Sequence, residues 1–188
     1  MLLNTDSALN VRFDARQRLL LLERGEILLS TAHDARPLRV RSHEALFEAL
    51  GTRFVLRQER AETQLSVEQG AVAIAPLDLE HGSTVAEAGQ RFRVTRHGAQ
   101  AIEQQSMDSA AWADGMIVTR DMRLADFLAE IGRYRHGHLG CTEAVADLRL
   151  SGVYRLDDTD NLLDLLPRTL PVRVLRRTPW WVTVEAHS

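Results

Sequence analysis

Asp157, Asp158, Asp160 and Asp164 form the densest group of carboxylates in the chain, and His136-Gly137-His138 brings two imidazoles within two positions of each other. A calcium loop alternates oxygen ligands around a glycine turn and closes on a glutamate; the aspartate run has neither feature. Acidic residues at the start of a helix are favoured by the positive end of its dipole, and that accounts for the run without an ion. The two imidazoles could chelate a metal, but no third ligand stands near them, and a surface turn is the better account. His33, His43, His81 and His97 are scattered near turn signals and pair with no nucleophile. There is no Gly-x-Ser-x-Gly elbow and no glycine-rich phosphate loop. Every basic residue except histidine is arginine, which excludes Schiff-base lysine chemistry and a P-loop lysine. Cys141 is the only cysteine, so no disulfide forms within the chain and no cysteine-based zinc site exists. It is expected as a small core residue on a strand. The residues build no active site. The expectation is a protein without catalytic residues, metal or cofactor.

The composition agrees with a binding role. The 188 residues are 45% apolar and 26% charged, which is the balance of a folded chain of one large or two small domains. A net charge of −3 leaves no basic excess for a phosphate backbone, so nucleic acid is not an expected partner. The longest aliphatic run, Leu19 to Leu22, is far short of the ~20 residues of a membrane helix. Trp180 and Trp181 are adjacent, so one of them must face outward on a strand, where an exposed indole can mark a contact surface.

The first hundred residues alternate as strands do. Leu19 to Leu22, Glu26 to Ser30, Leu38 to Arg41, Thr52 to Arg57, Glu62 to Glu68, Ala71 to Ala75 and Gln90 to Arg96 are the expected strands, with glycines as punctuation between them. Phe54 and Leu56 share one face, as do Thr63, Leu65 and Val67. Gly51, Gly70 and Gly89 recur at intervals of 19 residues, which suggests a quasi-repetitive layout. His43 to Leu50 admits one helical turn. Gln100 to Ser109 is polar and marks the boundary between a β-rich domain, 1–102, and a linker with an α+β domain, 103–188. In the second domain Asp121 is expected to cap a helix starting at Met122 and carrying Leu124, Phe127, Leu128 and Ile131 on one face. A strand from Leu148 to Leu156 follows. Thr159 or Asp160 is expected to cap a second helix with Leu162, Leu163, Leu165 and Leu166, ended by Pro167. Val172 to Leu175 and Trp181 to Val184 then form strands around a turn at Thr178-Pro179.

Several motifs follow one another in a familiar order: Leu3-Asn4-Thr5-Asp6-Ser7, Arg18 to Leu21, Arg24-Gly25-Glu26, Arg36-Pro37-Leu38-Arg39-Val40, Ala49-Leu50-Gly51-Thr52-Arg53-Phe54, Val67-Glu68-Gln69-Gly70-Ala71-Val72 and Ala88-Gly89-Gln90. In order and spacing they resemble FecR-like proteins. Trp112 with Gly115-Met116-Ile117-Val118, then Leu124 to Arg135, resembles the start of that family's C-terminal region, which is similar to the STN fold, the short N-terminal domain of secretins and TonB-dependent proteins. The resemblance implies the periplasmic signalling region of a single-pass inner-membrane regulator, an anti-sigma factor for an extracytoplasmic-function (ECF) sigma factor. Its implied partner is the N-terminal signalling domain of an outer-membrane TonB-dependent siderophore transducer. Met1 stands only three residues before Asn4 of the Asn-Thr-x-Ser motif, so the expectation is a chain cut to the periplasmic part. A natural protein lacking the tail is the alternative. On the first, the sigma factor and the membrane would be reached through preceding segments. Two other classes are open: a carbohydrate- or ligand-binding β-sandwich, and a secretin-like structural module.

A receiver of this kind is expected to dock its partner by adding a strand to an open sheet edge. Gln64, Ser66 and Glu68 are nominated as one such edge, and the last strand, with Trp181 as anchor and Thr183 beside it, as the other.

Overall fold

The computed structural model describes residues 1–31, 34–78, 82–102 and 106–187. Two compact units divide the chain at residues 104 and 105.

The first unit is mainly β. Its strands are β1 (Leu2–Leu3), β2 (Ala8–Phe13), β3 (Arg18–Ser30), β4 (Leu38–Arg41), β5 (Ala45–Gln58), β6 (Thr63–Pro76), β7 (Thr84–Glu87), β8 (Arg91–Thr95) and β9 (Gly98–Ala101). They form one sheet in the order β1-β3-β4-β5-β6-β8-β9, with β2 also on β3 and β7 also on β6. Three strands are much longer than the sequence suggests, because Gly25, Gly51 and Gly70 lie inside them rather than between them. Each has a positive φ, at 84°, 74° and 74°, and the pairing register slips beside each one. An extra residue in a strand switches which side chains face inward. In β3 the positions that line the main core pass from Leu20 and Leu22 to Ile27 and Leu29; in β5, from Ala45 and Phe47 to Phe54 and Leu56; in β6, from Leu65 and Val67 to Val72 and Ile74. Both halves of each strand therefore feed one core, which also takes Phe92 and Val94. The 19-residue interval is hairpin geometry, not a repeat: a side chain on Gly70 would meet the Gly51 carbonyl at 2.4 Å across the β5–β6 pair. The helical turn considered for His43 to Leu50 is strand, since Ala45 and Phe47 point into the core opposite Pro76 and Ile74.

The second unit is α+β. After a short 3-10 turn at Ala111–Asp114 come β10 (Met116–Arg123), α1 (Leu124–Gly132), β11 (His138–Cys141), α2 (Glu143–Ala146), β12 (Arg149–Arg155), α3 (Thr159–Thr169), β13 (Val172–Thr178) and β14 (Trp181–Ala186). β10 and β12 pair alone; β11, β14 and β13 make a three-stranded sheet. Helix α1 touches both β10 and β11, and α3 touches both β12 and β13, so the helices lie between the two sheets. The expected leucine faces meet there: Leu124, Phe127, Leu128 and Ile131 share a core with Leu162, Leu163 and Leu166. Three local expectations need correction. Asp121 caps nothing; it sits at φ 50° in a bulge of β10, its amide bound to Ser151 Oγ, and α1 starts two residues beyond Met122. Asp158, not Thr159 or Asp160, caps α3 by accepting from the Asn161 amide at 3.0 Å. Pro167 does not end α3, which runs on to Thr169.

The Phe127 ring is fully buried and tilted against Tyr154 at 4.8 Å between centroids. Phe127→Ala should therefore cost about 3–5 kcal/mol, read as a lower midpoint in chemical denaturation of the full chain.

Candidate partner-binding surfaces

The two nominated edges are not edges. Gln64 pairs with Arg57 on one side and Arg93 on the other, and Ser66 lies between Val55 and Arg91. Beside Glu68, Val67 is held by Phe54 of β5 and by main-chain bonds with Gly89 and Gln90. Strand β6 is thus interior, and Ser66 is buried. Strand β14 is the middle of its sheet: Trp181 faces His138 and Thr178, and Thr183 faces Gly140 and Leu175. Sequence alternation shows which faces are buried, but not how many neighbours a strand acquires. Trp181 and Thr183 remain available only as part of a sheet face. Gln64 and Glu68 lie in the other unit.

Around β14 the structure assembles something sequence reasoning missed. Both tryptophans are exposed, Trp180 at 62% and Trp181 at 48%. The His138 imidazole lies against Trp181 at 4.4 Å between centroids, and His136 is 6.4 Å from Trp180. Gly137, at φ 96°, lets this turn close on the β13–β14 hairpin, since a side chain there would meet the Trp180 carbonyl at 2.1 Å. Arg135, almost buried, donates to Pro179 O and Asp160 Oδ1 and pins the hairpin from beneath. The aspartates are used locally as well: Asp157 holds Arg155, and Asp164 holds Arg176. Among the described residues, no group of three or more His, Cys, Asp or Glu side chains is placed to hold a metal ion. Cys141 is half-buried on β11, and its thiol pKa is pushed up by burial, against a smaller pull from Arg123. His33 and His81 lie outside the described residues.

In the first unit the recurrent motifs meet each other. Asn4 donates to Glu26 Oε2 at 2.7 Å, and Ser7 Oγ accepts from the Glu26 amide at 2.9 Å. Arg24 reaches Asp6 at 3.1 Å. A side chain on Gly25 would meet Ser7 Oγ at 2.3 Å, so only glycine permits the contact. Arg18 donates to Arg36 O, while Arg36 grips Asp34. The motifs are fastenings of the fold. Of the open clefts, one of about 330 Å³ is lined by Ser30, Thr31, Gly51, Thr52, Arg53 and Gln69. A second, about 250 Å³, includes His43 and Glu23 among its lining residues, with 3.9 Å between their side chains.

Residues 1–73, the stretch built from these fastenings, match the family described as FecR protein. Over that stretch the chain is similar to FecR proteins. No curated protein matches the sequence. Two crystal structures do share the fold, each of a candidate anti-sigma factor from Parabacteroides distasonis ATCC 8503. One is 17% identical, with a TM-score of 0.75 over 99% of this chain and 89% of the other. The second is also 17% identical, with a TM-score of 0.69 over 94% and 84%. The likeness thus extends beyond the FecR stretch into the α+β unit, as one of fold.

Two arginine–aspartate pairs of the first unit predict its acid response. Arg36 hydrogen bonds hold the Asp34 carboxyl far below the usual carboxylate range, and Arg96 lowers Asp78 in the same way. A carboxyl whose pKa is lower folded than unfolded stabilises fully above its unfolded value and loses that contribution as pH falls through the folded one. Melting temperature should hold down to about pH 5 and fall below about pH 4. Asp78→Asn should flatten part of that fall, measured by circular dichroism melts across the range.

Proposed function

We propose that this chain is the signal-receiving region of a FecR-type anti-sigma regulator. Its partner is the N-terminal signalling domain of an outer-membrane TonB-dependent siderophore transducer, and its place is the periplasm. The observation that carries the reading is the FecR match over residues 1–73 together with a fold shared with the candidate anti-sigma factors across both units. Two features support it. The motifs serve packing rather than chemistry, so the reading assigns no catalytic role. The second unit sets its helices between a two-stranded and a three-stranded sheet, and we read it as the STN-like module that the sequence resemblance implies. On this reading the ECF sigma factor and the membrane are engaged by other segments of the protein. Among the described residues no helix is long and apolar enough to cross a membrane.

The test is calorimetric titration of the full chain with purified signalling domains of the TonB-dependent transducers encoded in the same genome. Saturable one-to-one binding to one of them is expected, together with iron-siderophore-dependent expression of a sigma-dependent reporter. A chain that binds none of them, and whose deletion leaves the reporter unchanged, would sink the reading.

A further inference from the structure

The three-stranded sheet ends on β13, which pairs with β14 and with no other strand among the described residues. The ladder shows which of its amides are spare. His187 N donates to Pro171 O at 3.1 Å, so those two residues form a hydrogen-bonded pair. Such pairs alternate along an antiparallel ladder. Arg173–Glu185 and Leu175–Thr183 are then the next bonded pairs, and the amides of Val174 and Arg176 point away from β14. The other side of β14 agrees: the carbonyls of Trp180 and Val184 face β11, accepting from His138 N and Thr142 N.

The side chains along this edge select the occupant. Arg173, Leu175, Arg176 and Arg177 are all exposed. Glu185 and Asp164 pair Arg173 and Arg176, but Arg177 sits at the register slip with no ion pair among the described residues. Leu175, Trp180 and Trp181 add exposed apolar surface to the same hairpin. A second copy of this strand would set arginine against arginine, which like charges across a strand pair disfavour. A helix would leave the spare amides unpaired. An extended segment carrying acidic residues, with an apolar residue opposite Leu175, satisfies both needs. Of the other edge strands, β9 carries no charge, and the end arginines of β12 are held by Asp121 and Asp157.

We propose that β13 is the docking edge for an acidic, extended segment of a partner protein, added as a fourth strand beside Val174 and Arg176. The proposal rests on the receiver reading and names the surface by which the receiver would work. The probe is the purified transducer signalling domain that binds the full chain. Hydrogen exchange at the Val174 and Arg176 amides should slow at least tenfold in the complex. Val174→Pro removes one spare amide while leaving the β14 ladder whole, as an edge strand allows, and should weaken binding at least tenfold. Arg177→Glu should weaken it about three- to tenfold, more at low salt. Should Val174→Pro unfold, exchange in the unaltered chain decides. A chain that binds with no slowing at those amides, or with Arg177→Glu unaffected, overturns the β13 proposal and leaves the receiver reading standing. Binding to no signalling domain overturns both.

Discussion

Three long strands of the first unit each accommodate one residue too many, and nearly everything else in that unit depends on it. A strand alternates its side chains with period two, so a straight 13- or 14-residue strand offers one continuous apolar face. At Gly25, Gly51 and Gly70 the chain takes a positive φ, the register slips, and the inward parity changes from even to odd or odd to even. The sheet can then turn while both halves of each strand still bury leucine, phenylalanine and valine. A side chain at Gly25 or Gly70 would strike Ser7 or the Gly51 carbonyl, so two of these positions are closed to other residues by contact as well as by φ.

The polar residues around these bends complete the same structure. Glu26 is buried and would be costly alone, but Asn4 and Ser7 bring it hydrogen-bond partners from the N-terminal segment. Glu44 is buried as well and accepts from Thr63 Oγ1 and Gln58 Nε2 at 2.7 and 2.8 Å. Each network ties together residues 14 to 22 positions apart. A family pattern spread thinly over seventy residues is what such long-range fastening leaves in a sequence.

The second unit solves a different problem. Its helices turn their apolar faces into one core shared with two small sheets, and small sheets leave open edges. Strand addition at such an edge, as proposed, needs no deep pocket. It needs unpaired amides, a few exposed apolar groups and a charge pattern, all of which the β13–β14 hairpin holds within a few residues of one another.

Periodicity made the element types legible. The leucine stripe of α1, the alternation of Thr63, Leu65 and Val67, and the turn after Thr178 follow from side-chain spacing and from proline's missing amide, which are local properties. The motifs also carried the FecR resemblance without any coordinates. Only the tertiary structure decided that glycines bend strands instead of ending them, that Asn4 meets Glu26, and that β6 and β14 lie inside their sheets. The reason is physical: alternation reports the face a residue buries, whereas an edge is defined by the neighbour a strand lacks. That neighbour is another segment, brought alongside through hydrogen bonds that every backbone can make and no side chain announces.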